Sequence, residues 1–276
     1  IVENMSENSK QVSILGCGWL GLPLAQKFVV KGYNVKGSTT SISKHRELKK
    51  QNIQPYIVEL HENEIVGDFE HFLEGSDILV INFPPKLRGD NHESLVKKVE
   101  RCIPFIEKST VKKVIFVSTT AVFPDSFPMK TIYEDTAPQP NDDRGKELLE
   151  TENRLRYNTH FETTILRFGG LIGENRHPVN YIAGKTNIDN PEAPVNLIHQ
   201  QDCINLIFHI IENHLWGKAL NAAYPKHPKR NEYYPQKAAS LGLEIPEFKT
   251  NAISRGKYIS CKYLREKYGF EFLNEI

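Results

Sequence analysis

The chain has 276 residues, enough for one large α/β domain or for a domain with an appended lobe. Its 35 Lys and Arg offset 34 Asp and Glu, which argues against nucleic acid or an anionic membrane as partner and leaves a small molecule. No apolar run reaches the ~18 residues of a membrane helix, and the polar opening at residues 3–8 lacks the basic and apolar regions of a signal peptide, so a cytoplasmic protein is expected.

In chain order, residues 12–15 form a short apolar run that predicts a strand. Leu24, Ala25, Phe28 and Val29 then recur at helical spacing before Lys31 and Gly32 end the pattern. Residues 34–38, 44–51 and 54–60 read as strand, helix and strand. Residues 78–81 (Ile-Leu-Val-Ile) form a fourth strand, and a helix from about residue 92 places Leu95, Val99, Cys102 and Ile106 on one face. Residues 114–117 form a fifth strand, and such continuous β-branched runs suit strands covered by helices on both faces. Four prolines mark residues 123–143 as a long loop. A helix at 144–157 and a sixth strand at 163–168 follow. Beyond Gly169 the texture turns to Gly, Pro and Asn, and only residues 202–211 show a clear amphipathic helix, with Asp202 as its expected N-cap.

Cys17, Cys102, Cys203 and Cys261 form no C-x-x-C pair and no zinc-ligand spacing with the ten scattered histidines. Free, buried thiols and no metal are expected.

Between the first strand and helix stands Gly16-Cys17-Gly18-Trp19-Leu20-Gly21. A G-x-G-x-x-G turn opening a helix sets backbone N–H groups and the positive helix end against a diphosphate. Gly16 makes the tight turn, Gly18 admits the pyrophosphate and Gly21 allows close helix–strand packing. The expected fold is α/β, a doubly wound parallel Rossmann sheet over residues 11–170 after a tail at 1–10. A smaller C-terminal substrate lobe follows at 171–276, its helix at 202–213 packing back on the sheet. NAD enzymes place an acid at the end of the second strand to hold the ribose. Here Ser38, Thr39 and Thr40 stand there, followed by Lys44 and Arg46. An acid would repel a 2′-phosphate by about 4 kcal/mol at 4 Å and an effective dielectric of 20. Its absence favours NADP(H), with NAD as the alternative. Trp19, Leu20, Asn82, Pro84, Ser118 and Phe168 complete the expected cofactor set.

Two families resemble parts of the chain. Residues 16–24 are similar to the opening of β-hydroxyacid dehydrogenases, which implies an all-helical second domain with a catalytic lysine. The segment Val117-Ser118-Thr119-Thr120-Ala121-Val122-Phe123 resembles the SSxxVYG landmark of extended short-chain dehydrogenases, the NAD-dependent epimerase/dehydratase group. Arg167 to Gly173 and Val195 to Asp202 resemble two later landmarks, and together with the glycine loop they look most like the atypical YeeZ-type subgroup. That resemblance implies an oxidoreductase or epimerase acting on a nucleotide-sugar-like substrate. Two departures bear on it. Leu15 stands where G-x-x-G-x-x-G has its first glycine, and Arg144 and Leu148 occupy the places of the catalytic tyrosine and lysine. Arginine stays protonated and exchanges no proton, but it grips a phosphate or carboxylate bidentately.

Thr119 falls where the family polarises its substrate. Arg144 and Thr119 are therefore the candidate catalytic residues, with Glu134, Asp135, Asp142 and Asp143 as replacement acids. Arg176, His177 and Lys185 are candidates to meet an anionic substrate. Tyr181/Lys185, Tyr233/Lys237 and Tyr263/Lys267 also match Y-x-x-x-K, outside the expected context. The competing readings are a non-catalytic NADP(H)-binding or sensor protein and a β-hydroxyacid-dehydrogenase-like enzyme.

Overall fold

The computed structural model describes residues 10–83 and 93–276. Along the chain run β1 (Gln11–Leu15), α1 (Gly21–Val30), β2 (Asn34–Thr39), α2 (Ile42–Lys50), β3 (Ile53–Leu60), β4 (Ile65–Gly67), α3 (Phe69–Leu73), β5 (Ile78–Ile81), α4 (Leu95–Lys108) and β6 (Lys113–Thr119). They are followed by β7 (Lys130–Ile132), α5 (Asp143–Arg156), β8 (Glu162–Phe168), β9 (Gly170–Ile172), α6 (Val179–Ile182), β10 (Leu197–His199), α7 (Gln200–Glu212), β11 (Ala219–Ala222), α8 (Arg230–Ser240) and β12 (Lys257–Ile259). The chain divides into two compact units, Ile1–Val117 with Glu150–Ile165, and Ser118–Leu149 with Leu166–Ile276.

The first unit is built on strands in the order β8-β6-β5-β1-β2-β3-β4. β1 pairs in parallel with β2 on one side and β5 on the other, Val12 standing opposite both Val35 and Ile78. Because β2 and β3 run outward one way and β5 and β6 the other, the carboxyl end of β1 is a topological switch point, where α/β sheets bind ligands. All four residues of β5 are buried, and the face of α4 read from its spacing, Leu95, Val99, Cys102 and Ile106, is buried as well. Antiparallel β4 closes the edge beyond β3.

Lys36 on β2 is buried, and its ammonium donates to the carbonyls of His71 and Glu74, both at 2.6 Å. It thereby satisfies carbonyls that the end of the short α3 leaves unpaired. Burial pulls the Lys36 pKa down, opposed by the nearby Glu74 carboxylate.

In the second unit β11 lies beside the end of β8, the Gly169 N–H donating to the Ala222 carbonyl at 2.9 Å, which brings the mostly parallel sheet to eight strands. β9 pairs with β10 and β7 with β12, each in parallel. A local core gathers Ile172, Val179, Val195, Leu197, Tyr233 and Tyr234. Five strands in this unit are incompatible with the all-helical second domain of the β-hydroxyacid dehydrogenases.

The expected cap of α7 is corrected. His199, not Asp202, is the N-cap, its Nδ1 accepting from the Gln201 N–H at 3.2 Å. Asp202 sits inside the first turn, fully buried, and accepts from the backbone N–H groups of Leu273 and Asn274, both at 3.1 Å, and from the Asn274 amide at 2.8 Å. One carboxylate thus fastens the C-terminal segment to α7. Asp202→Ala removes three charge-assisted bonds and is expected to lower unfolding free energy by about 3 kcal/mol in urea titration, with Asp202→Asn costing less. An unchanged midpoint for the alanine variant would show that the tie carries no stability.

Candidate functional site

The turn after β1 is closed by two glycine contacts and open at a third. Gly16 has φ 105°, which side-chain-bearing residues rarely adopt, and a Cβ there would lie 2.7 Å from the Asn82 carbonyl oxygen. At Gly21, the first residue of α1, a Cβ would lie 2.0 Å from the Gly16 carbonyl oxygen. Gly18 is exposed, and a Cβ there would meet nothing within 4 Å. The first two glycines let backbones approach each other, while the space over the third stays open.

Neighbouring strands brace the loop. The Gly16 N–H donates to Ser38 Oγ at 2.8 Å, the Cys17 N–H to the Ser38 carbonyl at 2.9 Å, and the Asn82 side-chain amide to the Gly16 carbonyl at 3.1 Å. Leu20, the N-cap of α1, offers no side-chain cap, and the helix has no acid in its first turn, so no carboxylate of its own offsets the positive helix end beside Gly18. Leu20 is buried and Trp19 half-buried. Cys17 points inward. Burial pushes its thiol up to about 12, the Ser38 backbone bond and the Lys44 charge pulling the other way.

At the end of β2, Ser38 is buried and engaged with the loop. Thr39 is also buried, and its hydroxyl accepts from the Ser41 N–H at 3.1 Å. Thr40 and Lys44 are exposed, and no acid occurs between residues 36 and 46. Pro84 lies outside the described residues.

The remaining candidates belong to the second unit. Thr119 ends β6 half-buried, its hydroxyl accepting from the Ala121 N–H at 3.3 Å, while Ser118 and Phe168 are buried. Arg144 is exposed in the first turn of α5, with no hydrogen bond or ion pair to another described residue. Its neighbour Gly145 is tightly held. A Cβ there would stand 2.6 Å from Pro140 and 3.1 Å from the Ala121 carbonyl, and Asp142 accepts from the Gly145 N–H at 2.7 Å. The start of α5 is therefore pinned to the turn that Thr119 opens. Leu148, one turn on, is buried.

The displaced Tyr/Lys pairs lie in three different surroundings. Tyr181 is 75% exposed. The Tyr233 hydroxyl bonds to His177 Nε2 at 2.9 Å, and burial pushes its pKa up even though the Lys237 ammonium lies 5.7 Å from the ring centre. Tyr263 donates to Asp135 at 2.8 Å, which likewise raises it. His177 accepts from the Val179 N–H at 3.1 Å, and burial pushes it down to about 4, so near neutral pH it is an uncharged part of the local core. Among the replacement acids, Asp142 caps α5 and Asp143 pairs with Lys146, while Glu134 accepts from the Leu264 N–H at 3.2 Å and is raised chiefly by burial. No cluster of three or more potential metal ligands occurs among the described residues, and none of their helices is long and apolar enough to cross a membrane. All four cysteines are free and buried.

No protein-family model matches the chain. Among characterised sequences it is similar to Protein YeeZ of Escherichia coli K12, 35% identical over 266 residues that cover 95% of this chain and 96% of that protein. It is 20% identical over 275 residues to the chloroplastic Epimerase family protein SDR39U1 homolog of Arabidopsis thaliana, covering 92% of this chain and 78% of that one. Its fold resembles that of UDP-glucuronic acid 4-epimerase from Bacillus cereus, crystallised with NAD, with a TM-score of 0.79 at 16% identity over 96% of this chain and 92% of the other.

Gly21 and Gly18 make opposite predictions. Gly21→Ala forces the Gly16 carbonyl aside and should cost 2 kcal/mol or more, at roughly the level of other overpacked sites. Gly18→Ala should stay within about 1 kcal/mol of the parent. Thermal melts of the two variants give the comparison, and equal losses would contradict the loop geometry.

Proposed function

The chain belongs to the YeeZ family of epimerase and short-chain-dehydrogenase-like proteins, and from that premise we propose that its glycine loop binds a nicotinamide dinucleotide, NADP(H) in preference to NAD(H). The observation that carries this reading is the contrast between the closed positions Gly16 and Gly21 and the open space over Gly18 beside an uncapped helix start. The N–H groups around Gly18, Trp19 and Leu20 and the N-terminus of α1 hold the pyrophosphate. Thr40 and Lys44, both exposed, receive the 2′-phosphate. Lys44 is close enough for its charge to act on the Cys17 thiol, which supports its reach to the loop. Ser38 and Asn82 act from behind by fixing the Gly16 backbone, while Ser118 and Phe168 complete the cofactor set.

The reaction we propose is that of an oxidoreductase or epimerase acting on an anionic, nucleotide-sugar-like substrate. When bound, the dinucleotide supplies hydride transfer. Thr119 polarises a substrate oxygen through its hydroxyl. Arg144, exposed and with no side-chain partner among the described residues, fixes a phosphate or carboxylate through its planar fork. Because Arg144 exchanges no proton and the Tyr233 and Tyr263 hydroxyls are both raised, water or a further side chain carries the proton. The raised tyrosines equally support a second reading, a dinucleotide-binding sensor without turnover.

Isothermal titration with NADPH and NADH is the direct test. NADPH is expected to bind at least tenfold more tightly, and Gly18→Val should abolish binding of both without unfolding the protein. Parity, or a preference for NADH, overturns the NADP(H) assignment, and binding of neither overturns the whole reading. With dinucleotide bound, nucleotide sugars are screened for a change in nicotinamide absorbance. A change in absorbance favours the enzyme, whereas binding without one favours the sensor. Arg144→Ala should weaken that second ligand by about 1.5 to 3 kcal/mol, Arg144→Lys should recover part of the loss, and Phe in place of Tyr181, Tyr233 or Tyr263 should leave turnover within a few-fold.

A further inference from the structure

α1 and α5 begin alike. In the first turn of each, a glycine is pressed against the backbone carbonyl of an earlier turn, Gly21 against Gly16 and Gly145 against Ala121. Gly145 is buried, and a Cβ there would stand 2.6 Å from the Pro140 Cβ, 3.1 Å from the Ala121 carbonyl oxygen and 3.1 Å from Asp142 Oδ1. Its φ lies outside the left-handed region, so the backbone at this position accepts any side chain, and glycine is among the poorest helix formers. What the position requires is the close approach itself.

Ala121 joins that approach to Thr119. Its N–H donates to the Thr119 hydroxyl at 3.3 Å, while its carbonyl meets Gly145, the residue after Arg144. The turn is closed by the Phe123 N–H, which donates to the Thr120 carbonyl at 3.1 Å. The two acids that precede Arg144 are engaged with other groups. Asp142 accepts from the Gly145 N–H at 2.7 Å and Asp143 pairs with Lys146 at 3.4 Å, and neither forms an ion pair with the Arg144 guanidinium.

On the reading of Arg144 as an anion anchor, we propose that Gly145 is a positioning residue. By letting the first turn of α5 close on Ala121, it sets the Arg144 guanidinium relative to the Thr119 hydroxyl. A methyl group at 145 meets a proline ring, a backbone carbonyl and a carboxylate on three sides, and neither the ring nor the carbonyl yields by a change of rotamer. The start of α5 moves outward instead and carries Arg144 with it. A bidentate grip needs both N–H groups of the fork on one anion, and a misplacement of about 1 Å at a positioned group costs as much as about 100-fold.

A double-mutant cycle separates this role from a structural one. Isothermal titration is run on the NADPH-loaded protein with UDP-galacturonic acid as probe, because that molecule carries both a diphosphate and a carboxylate. Gly145→Ala is expected to weaken the probe about tenfold and to leave NADPH affinity within about twofold. On the Arg144→Ala background the same substitution should change probe affinity by less than about twofold, since the group it displaces is gone. Melting curves show which variants fold. Should the alanine variant fail to fold, Pro140→Gly, at a half-buried position, loosens the same contact and takes its place in the cycle, with a loss of about threefold expected. Unaltered probe affinity in Gly145→Ala, or an equal loss with and without Arg144, overturns the proposal while the anchor itself stands. A parallel loss of NADPH affinity marks a general defect and overturns it as well. A probe that binds the parent and Arg144→Ala alike, or binds neither, overturns the anchor and the positioning role together.

Discussion

The carbonyl oxygen of Gly16 is the atom around which the first unit is arranged. It leaves no room for a side chain at Gly21 and accepts the Asn82 amide, while the N–H of the same residue is held by Ser38. Three strands, β1, β2 and β5, therefore meet at one residue, and the start of α1 is set closely against it. Once that packing is fixed, the parallel order of the sheet places the switch point directly at the loop.

The second unit uses a different economy. Its strands are short and its ties are buried or half-buried polar groups, with Asp202 holding residues 273 and 274, Asn196 bonded to the backbone of Lys257 and Ile259, and His177 joined to Val179 and Tyr233. Such bonds specify geometry sharply because a buried donor or acceptor left unpaired is costly. They suit a unit whose loops are long and whose apolar clusters are small.

Most of the first unit was legible because its elements carry local signals. The Ile-Leu-Val-Ile run of β5 and the spacing of Leu95, Val99, Cys102 and Ile106 in α4 are statements about periodicity, and periodicity survives in a bare sequence. The glycine loop was legible for the same reason, its spacing being local. α8 was hidden by Pro235 and a polar composition, and its stability rests on burial of Tyr233, Tyr234 and Ala238. α3 is a five-residue helix completed by Lys36 from another strand, a contact that no window of sequence contains. The role of Asp202 was hidden likewise, since its type and place suggested a cap while its donors lie some seventy positions further on. Position alone assigned Ser38 to the ribose end of the site. Only the register between β1 and β2 places its hydroxyl on the Gly16 N–H.

Cys17 gives the loop a chemical character of its own. Burial pushes its thiol pKa up to about 12 and so favours the protonated form, whereas the thiolate is the form that peroxides, disulfides and alkylating agents attack. The glycine turn thus carries a buried, protonated thiol at its centre, and modification of that thiol would report that the turn had opened.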